Sequence, residues 1–99
     1  MPGPISRHAA IRIRRDVVFR ELEGEMVLLN LATGVYFGLD PVGTRIWTLI
    51  EAHRSSDEIV ETLTAEYEVD ADTLGADLAH FLKTLRDNEL VDVDDGSAR

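Results

Sequence analysis

Three short apolar runs, separated by turn residues, dominate the segment between residues 17 and 38. The runs are Val17–Leu22, Met26–Leu31 and Val35–Gly38, and the pairs Glu23-Gly24 and Thr33-Gly34 separate them. A glycine-containing pair between two apolar runs is typical of a β-hairpin. The pattern therefore predicts three antiparallel strands, the third of which is short and lies at an edge of the sheet.

After residue 40 the apolar positions recur at helical spacing in three further segments. The first helix is predicted from Pro41 to Ala52, with Asp40 as its N-cap. The second helix opens at Ser55, which has capping-box spacing with Glu58. A third helix is predicted from about residue 70 to residue 88, with an apolar stripe along one face. The residues of this stripe are Leu74, Leu78, Phe81, Leu82 and Leu85.

These elements predict a single α+β domain with a winged helix-turn-helix-like fold, in which a three-stranded antiparallel sheet is followed by three helices. Residues 1–15 begin with a Pro-Gly-Pro sequence and are predicted to form a flexible N-terminal arm, in which residues 11–13 could extend a strand. The domain itself is expected to span residues 16–93. Residues 90–93 close it as a strand or a clip on the core, and residues 94–99 form a polar tail.

Composition narrows the possible functions. The 99 residues include no cysteine, which excludes disulfides, thiolate catalysis and cysteine-based zinc sites, and we expect a cytoplasmic protein. No apolar run approaches the roughly 18–20 residues of a membrane span, and the N-terminus lacks the pattern of a signal peptide. The net charge is −9, made of +1 in residues 1–50 and −10 in residues 51–99. The acidic second half would repel nucleic-acid phosphates.

The sequence offers few candidate catalytic or metal-ligating residues. The three histidines, His8, His53 and His80, lack metal-binding spacing, so we predict no metal site, no cofactor and no catalytic residue. Acidic residues near position 70 do not match a calcium-binding loop, and Asp70 is better explained as a helix cap. Asp77 is different, because it adjoins the apolar stripe and is a candidate for the edge of a groove.

A winged-helix DNA-binding domain is also built from a hairpin and three helices. A recognition helix should be basic, yet the third helix has only Lys83 and Arg86 against four aspartates. Nucleic-acid binding and a structural or dimerisation role in an unrelated complex therefore remain the alternatives from other functional classes. Neither requires the short edge strand beside an apolar helix, which favours the binding of a peptide.

Two blocks of this sequence resemble the PqqD-like proteins, the standalone recognition elements of ribosomally made, post-translationally modified peptides. The first block covers residues 28–31 and the sequence TGVYFGLDPVGTRIW from Thr33 to Trp47, and the second covers residues 77–85 and ends with Leu90-Val91. The resemblance implies a winged-helix-like, non-catalytic protein that binds the leader segment of a precursor peptide. The family often has Asn where this chain has Asp40, and both residues cap helices.

The resemblance also implies a binding mode and its residues. The leader adds as a strand beside the third strand and packs against the third helix, then is delivered to a partner enzyme. The candidate peptide-binding residues are Val35, Tyr36, Phe37, Gly38, Asp77, Leu78, Phe81, Leu82 and Leu85. The Asp-Pro helix start is most similar to the split leader-binding proteins of lasso-peptide biosynthesis, whose partner is a leader peptidase. The alternative is a PqqD-type chaperone for a radical-SAM enzyme.

Three finer expectations follow from geometry. Tyr36 and Phe37 alternate in direction along a strand, so only one of them should face the groove. Phe81 and Leu82 are adjacent on a helix, so one should be in the core and the other in the groove, and Leu78, Leu82 and Leu85 should share a face. An exposed edge strand can also pair with a second copy, so the chain is expected to be a monomer or an edge-paired dimer.

Overall fold

The computed structural model describes residues 10–94, which form five strands and three helices. In chain order these are β1 (Ala10–Ile13), β2 (Val17–Leu22), β3 (Glu25–Asn30), β4 (Val35–Gly38), α1 (Pro41–Glu51), α2 (Ser56–Tyr67), α3 (Ala71–Asp87) and β5 (Val91–Asp94). The predicted α+β class, with a three-stranded antiparallel sheet followed by three helices, is confirmed.

The main sheet has the strand order β2-β3-β4, with both pairs antiparallel. Glu23 and Gly24 both have positive φ, at 53° and 83°, as a two-residue hairpin turn requires. The second hairpin turn is longer and spans residues 31–34. It ends at Gly34, whose φ of 75° suits a residue without a Cβ. Leu31, predicted to end the second strand, lies in this turn because the Asn30 side chain binds the backbone just after it.

A second, two-stranded sheet pairs β1 with β5, so that Ile11 faces Val93 and Ile13 faces Val91. Ile11 and Val91 are buried, and Arg14 forms an ion pair with Asp92 at 3.1 Å. Residues 10–13, at the end of the predicted arm, form β1, where the sequence analysis allowed residues 11–13 to extend a strand. The rest of the predicted arm, residues 1–9, and residues 95–99 of the predicted tail lie outside the described residues.

Each helix begins at the cap that the sequence predicts. Asp40 Oδ1 accepts a hydrogen bond from the Gly43 N–H at 2.7 Å, and Asp70 Oδ2 accepts one from the Thr73 N–H at 3.0 Å. Ser55 and Glu58 form the reciprocal capping box. These bonds satisfy backbone donors that the first turn of a helix leaves without intrahelical partners. The Asp40 cap fixes where α1 starts relative to β4, with only two residues between the two elements.

The core lies between the main sheet and the three helices. Trp47 of α1 is fully buried and meets Phe19 of β2 edge-to-face, with ring centroids 5.4 Å apart. The buried Thr44 hydroxyl accepts a hydrogen bond from the Met26 N–H at 2.8 Å and donates to the Leu39 carbonyl at 3.3 Å. Thr44 thereby joins α1 to the end of the β3–β4 hairpin. Across residues 10–94, no helix has both the length and the apolar character that crossing a membrane would demand.

Candidate functional site

The outer edge of β4 is the first component of the candidate site. Within residues 10–94, β4 pairs with β3 on one side and with no strand on the other. The Leu39 N–H donates to the Met26 carbonyl of β3 at 2.8 Å. Because successive backbone groups alternate across a strand, the N–H and C=O groups of Tyr36 and Gly38 point away from β3. The edge therefore presents two donors and two acceptors to a further strand.

A groove of about 290 Å³ adjoins this edge, between β4, the beginning of α1 and the middle of α3. We call it the edge groove. Its lining is Phe37, Gly38, Leu39, Asp40, Val42, Gly43, Ile46, Leu74, Asp77, Leu78 and Phe81. Two carboxylates interrupt an otherwise apolar surface, and the Asp40 carboxylate already caps α1. The edge groove can therefore accept apolar side chains from a strand that pairs with β4.

The four predicted residues of β4 divide between two faces of the sheet. Phe37 is half-buried and lines the edge groove together with Gly38. Tyr36 is 71% exposed and lies on the opposite face, in register with Leu29 and Val18 across the sheet. Val35 is exposed at the hairpin end and is not part of the groove lining. As expected from strand alternation, only one of the two aromatic side chains faces the groove, and that one is Phe37.

The predicted residues of α3 also divide, in this case between groove and core. Asp77, Leu78 and Phe81 line the edge groove. Leu82 and Leu85 have 0% exposure and do not line it, so their contact with a peptide stays a prediction. Their buried position follows from the helical period, because the centre of the apolar stripe packs inward while Phe81 lies on its flank. As predicted, one of the adjacent pair Phe81 and Leu82 is in the core, and Leu78 shares the buried face.

Helix α1 supplies groove residues that the sequence analysis missed. Val42 is exposed in the first turn and Ile46 lies one turn further on, and both line the edge groove. A Cβ at Gly43 would lie 3.3 Å from Phe81 Cζ, so the glycine lets α3 approach α1 closely. The available sequence signals were an exposed apolar residue in the first turn and a glycine inside a helix. Both signals become interpretable only once α3 is known to pack there.

Asn30 is a second missed residue, and it fixes the position of the hairpin. Its exposure is 1%, and its Nδ2 donates to the Glu89 carbonyl just after α3 at 2.7 Å. Its Oδ1 accepts hydrogen bonds from the Ala32 and Thr33 N–H groups, at 2.8 and 3.1 Å. One side chain therefore connects the β3–β4 turn to the C-terminal end of α3. It thus joins the hairpin that contains β4 to the helix that forms the opposite wall of the edge groove.

Among residues 10–94, no three side chains of the metal-ligating types come together. The aspartates of the edge groove are Asp40, which caps α1, and Asp77, which is exposed on α3. The arrangement of edge and groove is suited to binding an extended peptide.

Comparisons with known proteins agree with this geometry. No curated protein matches the chain. A solved structure of TbiB1 in complex with the TbiA(beta) leader peptide is 45% identical, with a TM-score of 0.80, and the match covers 89% of this chain and 99% of that one. A lasso peptide synthetase B1 complexed with the leader peptide is 26% identical, with a TM-score of 0.77, covering 82% and 95%.

The family model that matches is that of coenzyme PQQ synthesis protein D (PqqD), over residues 25–91. This range is more than half of the chain and includes β3, β4, all three helices and the first residue of β5. It therefore contains both walls of the edge groove and the residues that connect them. The chain belongs to the PqqD family.

Proposed function

We propose that this chain is a non-catalytic recognition element. It binds the leader segment of a ribosomally made precursor peptide and delivers that peptide to a partner enzyme. The observation that carries the proposal is the free edge of β4 directly beside the edge groove. Two structurally similar proteins are each described in complex with a leader peptide, which supports the same ligand class for this chain. The leader pairs with Tyr36 and Gly38 and places alternate side chains in the groove.

The free energies involved show why leader binding needs both the edge of β4 and the edge groove. Four hydrogen bonds to Tyr36 and Gly38 contribute about 0.5–1.5 kcal/mol each, or roughly 2–6 kcal/mol in total. Ordering four leader residues costs about 1–2 kcal/mol each, or roughly 4–8 kcal/mol. Backbone pairing alone therefore does not give stable binding. Apolar anchors in the edge groove, at about 25 cal/mol per Å² of buried apolar surface, supply the remaining free energy.

The partner enzyme is a leader peptidase in this proposal. Both structural neighbours are leader-peptide complexes, and one is described as a lasso peptide synthetase B1 protein, which supports the lasso-peptide assignment over the radical-SAM alternative. Nucleic-acid binding is disfavoured by the charge of α3. Its Lys83 is already paired with Asp87 at 2.8 Å, and residues 51–99 carry a net charge of −10.

Side-chain truncations in the site should separate groove residues from residues of the opposite sheet face. We expect Phe81→Ala to weaken leader binding about 5- to 30-fold, because a half-buried aromatic anchor is worth about 1–2 kcal/mol. Tyr36→Ala is the matched control and should change the affinity less than twofold, because its side chain lies on the other face. The measurement is calorimetry with the cognate leader peptide.

Thermal midpoints of both variants, measured alongside, separate a lost contact from a destabilised fold. A folded Phe81→Ala variant that binds the leader as tightly as wild type would show that the leader does not occupy the edge groove. A large loss in Tyr36→Ala alone would place the leader on the outer sheet face instead.

A further inference from the structure

A second cavity lies on the opposite flank of α3, between α3 and α2. Its volume is about 240 Å³, and we call it the flank cleft. The apolar floor includes Val60, Gly75 and Leu82. Steps of 100° along α3 place Gly75 and Ala79 on this flank, whereas Asp77 and Phe81 lie on the flank of the edge groove. Leu78 lies between the two flanks and lines both cavities, so a leader bound in the edge groove leaves the part of the flank cleft around Gly75 and Ala79 accessible.

The rim of the flank cleft is acidic. Asp57, Glu61 and Asp72 line it, and none of the lining residues described is a lysine or an arginine. The surrounding half of the chain, residues 51–99, has a net charge of −10. An apolar floor inside a negative rim is complementary to an apolar side chain that is flanked by basic residues. The volume lies below the roughly 300–1,000 Å³ of typical small-molecule sites, which argues against a cofactor.

Gly75 is the residue that keeps the flank cleft open. It lies inside α3, where glycine is destabilising relative to alanine. Unlike Gly43, it is not required by internal packing, since a Cβ at Gly75 would meet no atom within 4 Å. Its φ is not positive either, so the backbone does not require glycine. Contacts within residues 10–94 therefore do not account for Gly75, and the open space beside it leaves room at this point of the cleft for a group from another protein.

We infer that the flank cleft is the docking site for the partner enzyme, which inserts an apolar side chain from a segment that also carries lysine or arginine. The inference rests on the proposed function, since it assigns the surface by which the leader-loaded chain meets its enzyme. Helix α3 then separates the two binding events, with the leader on one flank and the enzyme on the other. The leader and the enzyme then bind together, and among the described residues Leu78 is the one that lines both cavities.

The test uses the cognate leader peptidase, titrated against the full-length chain saturated with leader. Gly75→Leu fills the cleft, and it should lower the affinity for the peptidase at least tenfold. Ala76→Leu is the matched control, because Ala76 is exposed on α3 and lines neither cavity. It should change the peptidase affinity less than twofold. Leader affinity, measured separately by calorimetry, should be unchanged in both variants.

A charge reversal on the cleft rim provides an independent test of the docking site. Glu61→Lys on the cleft rim should weaken peptidase binding at least fivefold, whereas Glu51→Lys at the end of α1 changes the net charge equally and should have little effect. Wild-type peptidase affinity in Gly75→Leu, in a chain that still binds leader, would overturn the docking site and leave the proposed function intact. A wild-type chain that fails to bind leader would instead overturn the proposed function.

Discussion

Replacing Tyr36 by proline should weaken leader binding about 10- to 100-fold. Proline removes an N–H that points away from β3, toward the position of the added strand. The lost hydrogen bond leaves a leader carbonyl without its partner, at a cost of about 1–3 kcal/mol, and each 1.4 kcal/mol is a tenfold change in affinity. The measurement is calorimetric titration of the folded variant with the leader peptide.

Tyr36→Ala is the control for this substitution, because it removes the same side chain and keeps the N–H. The difference between the two variants isolates the backbone group. Phe37→Pro is a contrasting case, since its N–H faces β3 and its loss should lower the stability of the hairpin itself. Equal leader affinities in Tyr36→Pro and Tyr36→Ala, with both variants folded, would exclude strand addition at β4.

Replacing Asn30 by alanine should lower the free energy of unfolding by about 2–4 kcal/mol. The substitution leaves the Glu89 carbonyl and the N–H groups of Ala32 and Thr33 without their partner, and unsatisfied polar groups cost about 1–3 kcal/mol each when buried. Because part of the turn is open to water, the total lies below the sum of three full penalties. Urea denaturation monitored by the fluorescence of Trp47 measures the change.

Asn88→Ala is a matched control, since Asn88 Nδ2 makes a single bond of 2.8 Å to the Thr84 carbonyl. It should cost about 0.5–1.5 kcal/mol. Asn30→Asp keeps the acceptor oxygens but cannot donate to Glu89, so it should also be strongly destabilising. If Asn30→Ala costs no more than Asn88→Ala, then Asn30 is not the connection between the hairpin and α3 that the geometry indicates.

Local signals were sufficient for most of the fold. The hairpin turns, the Asp40 and Asp70 caps and the capping box are set by residues within a few positions of one another, so the sequence alone predicts them. Strand β1 could not be placed in the same way. It pairs with β5 about 80 residues later, and no short pattern indicates that partner.

The candidate site was predictable only in part, for a related reason. The edge strand was identified because its length and glycine content are local properties. The stripe on α3 showed which face is apolar, but not which apolar residues remain accessible. Leu82 and Phe81 are neighbours in sequence, and their separation between core and groove depends on how α1 and the sheet pack against α3. The contributions of Val42 and Gly43 depend on the same packing.

Amide hydrogen exchange, resolved residue by residue by NMR, tests strand addition most directly. In the free chain, the N–H groups of Val35 and Phe37 face β3. The N–H groups of Tyr36 and Gly38 face outward and should exchange rapidly. Saturation with the leader peptide should protect Tyr36 and Gly38 and change the other two much less. If the leader binds and the Tyr36 and Gly38 amides still exchange as in the free chain, the leader does not add a strand at β4 and the binding mode described here is wrong.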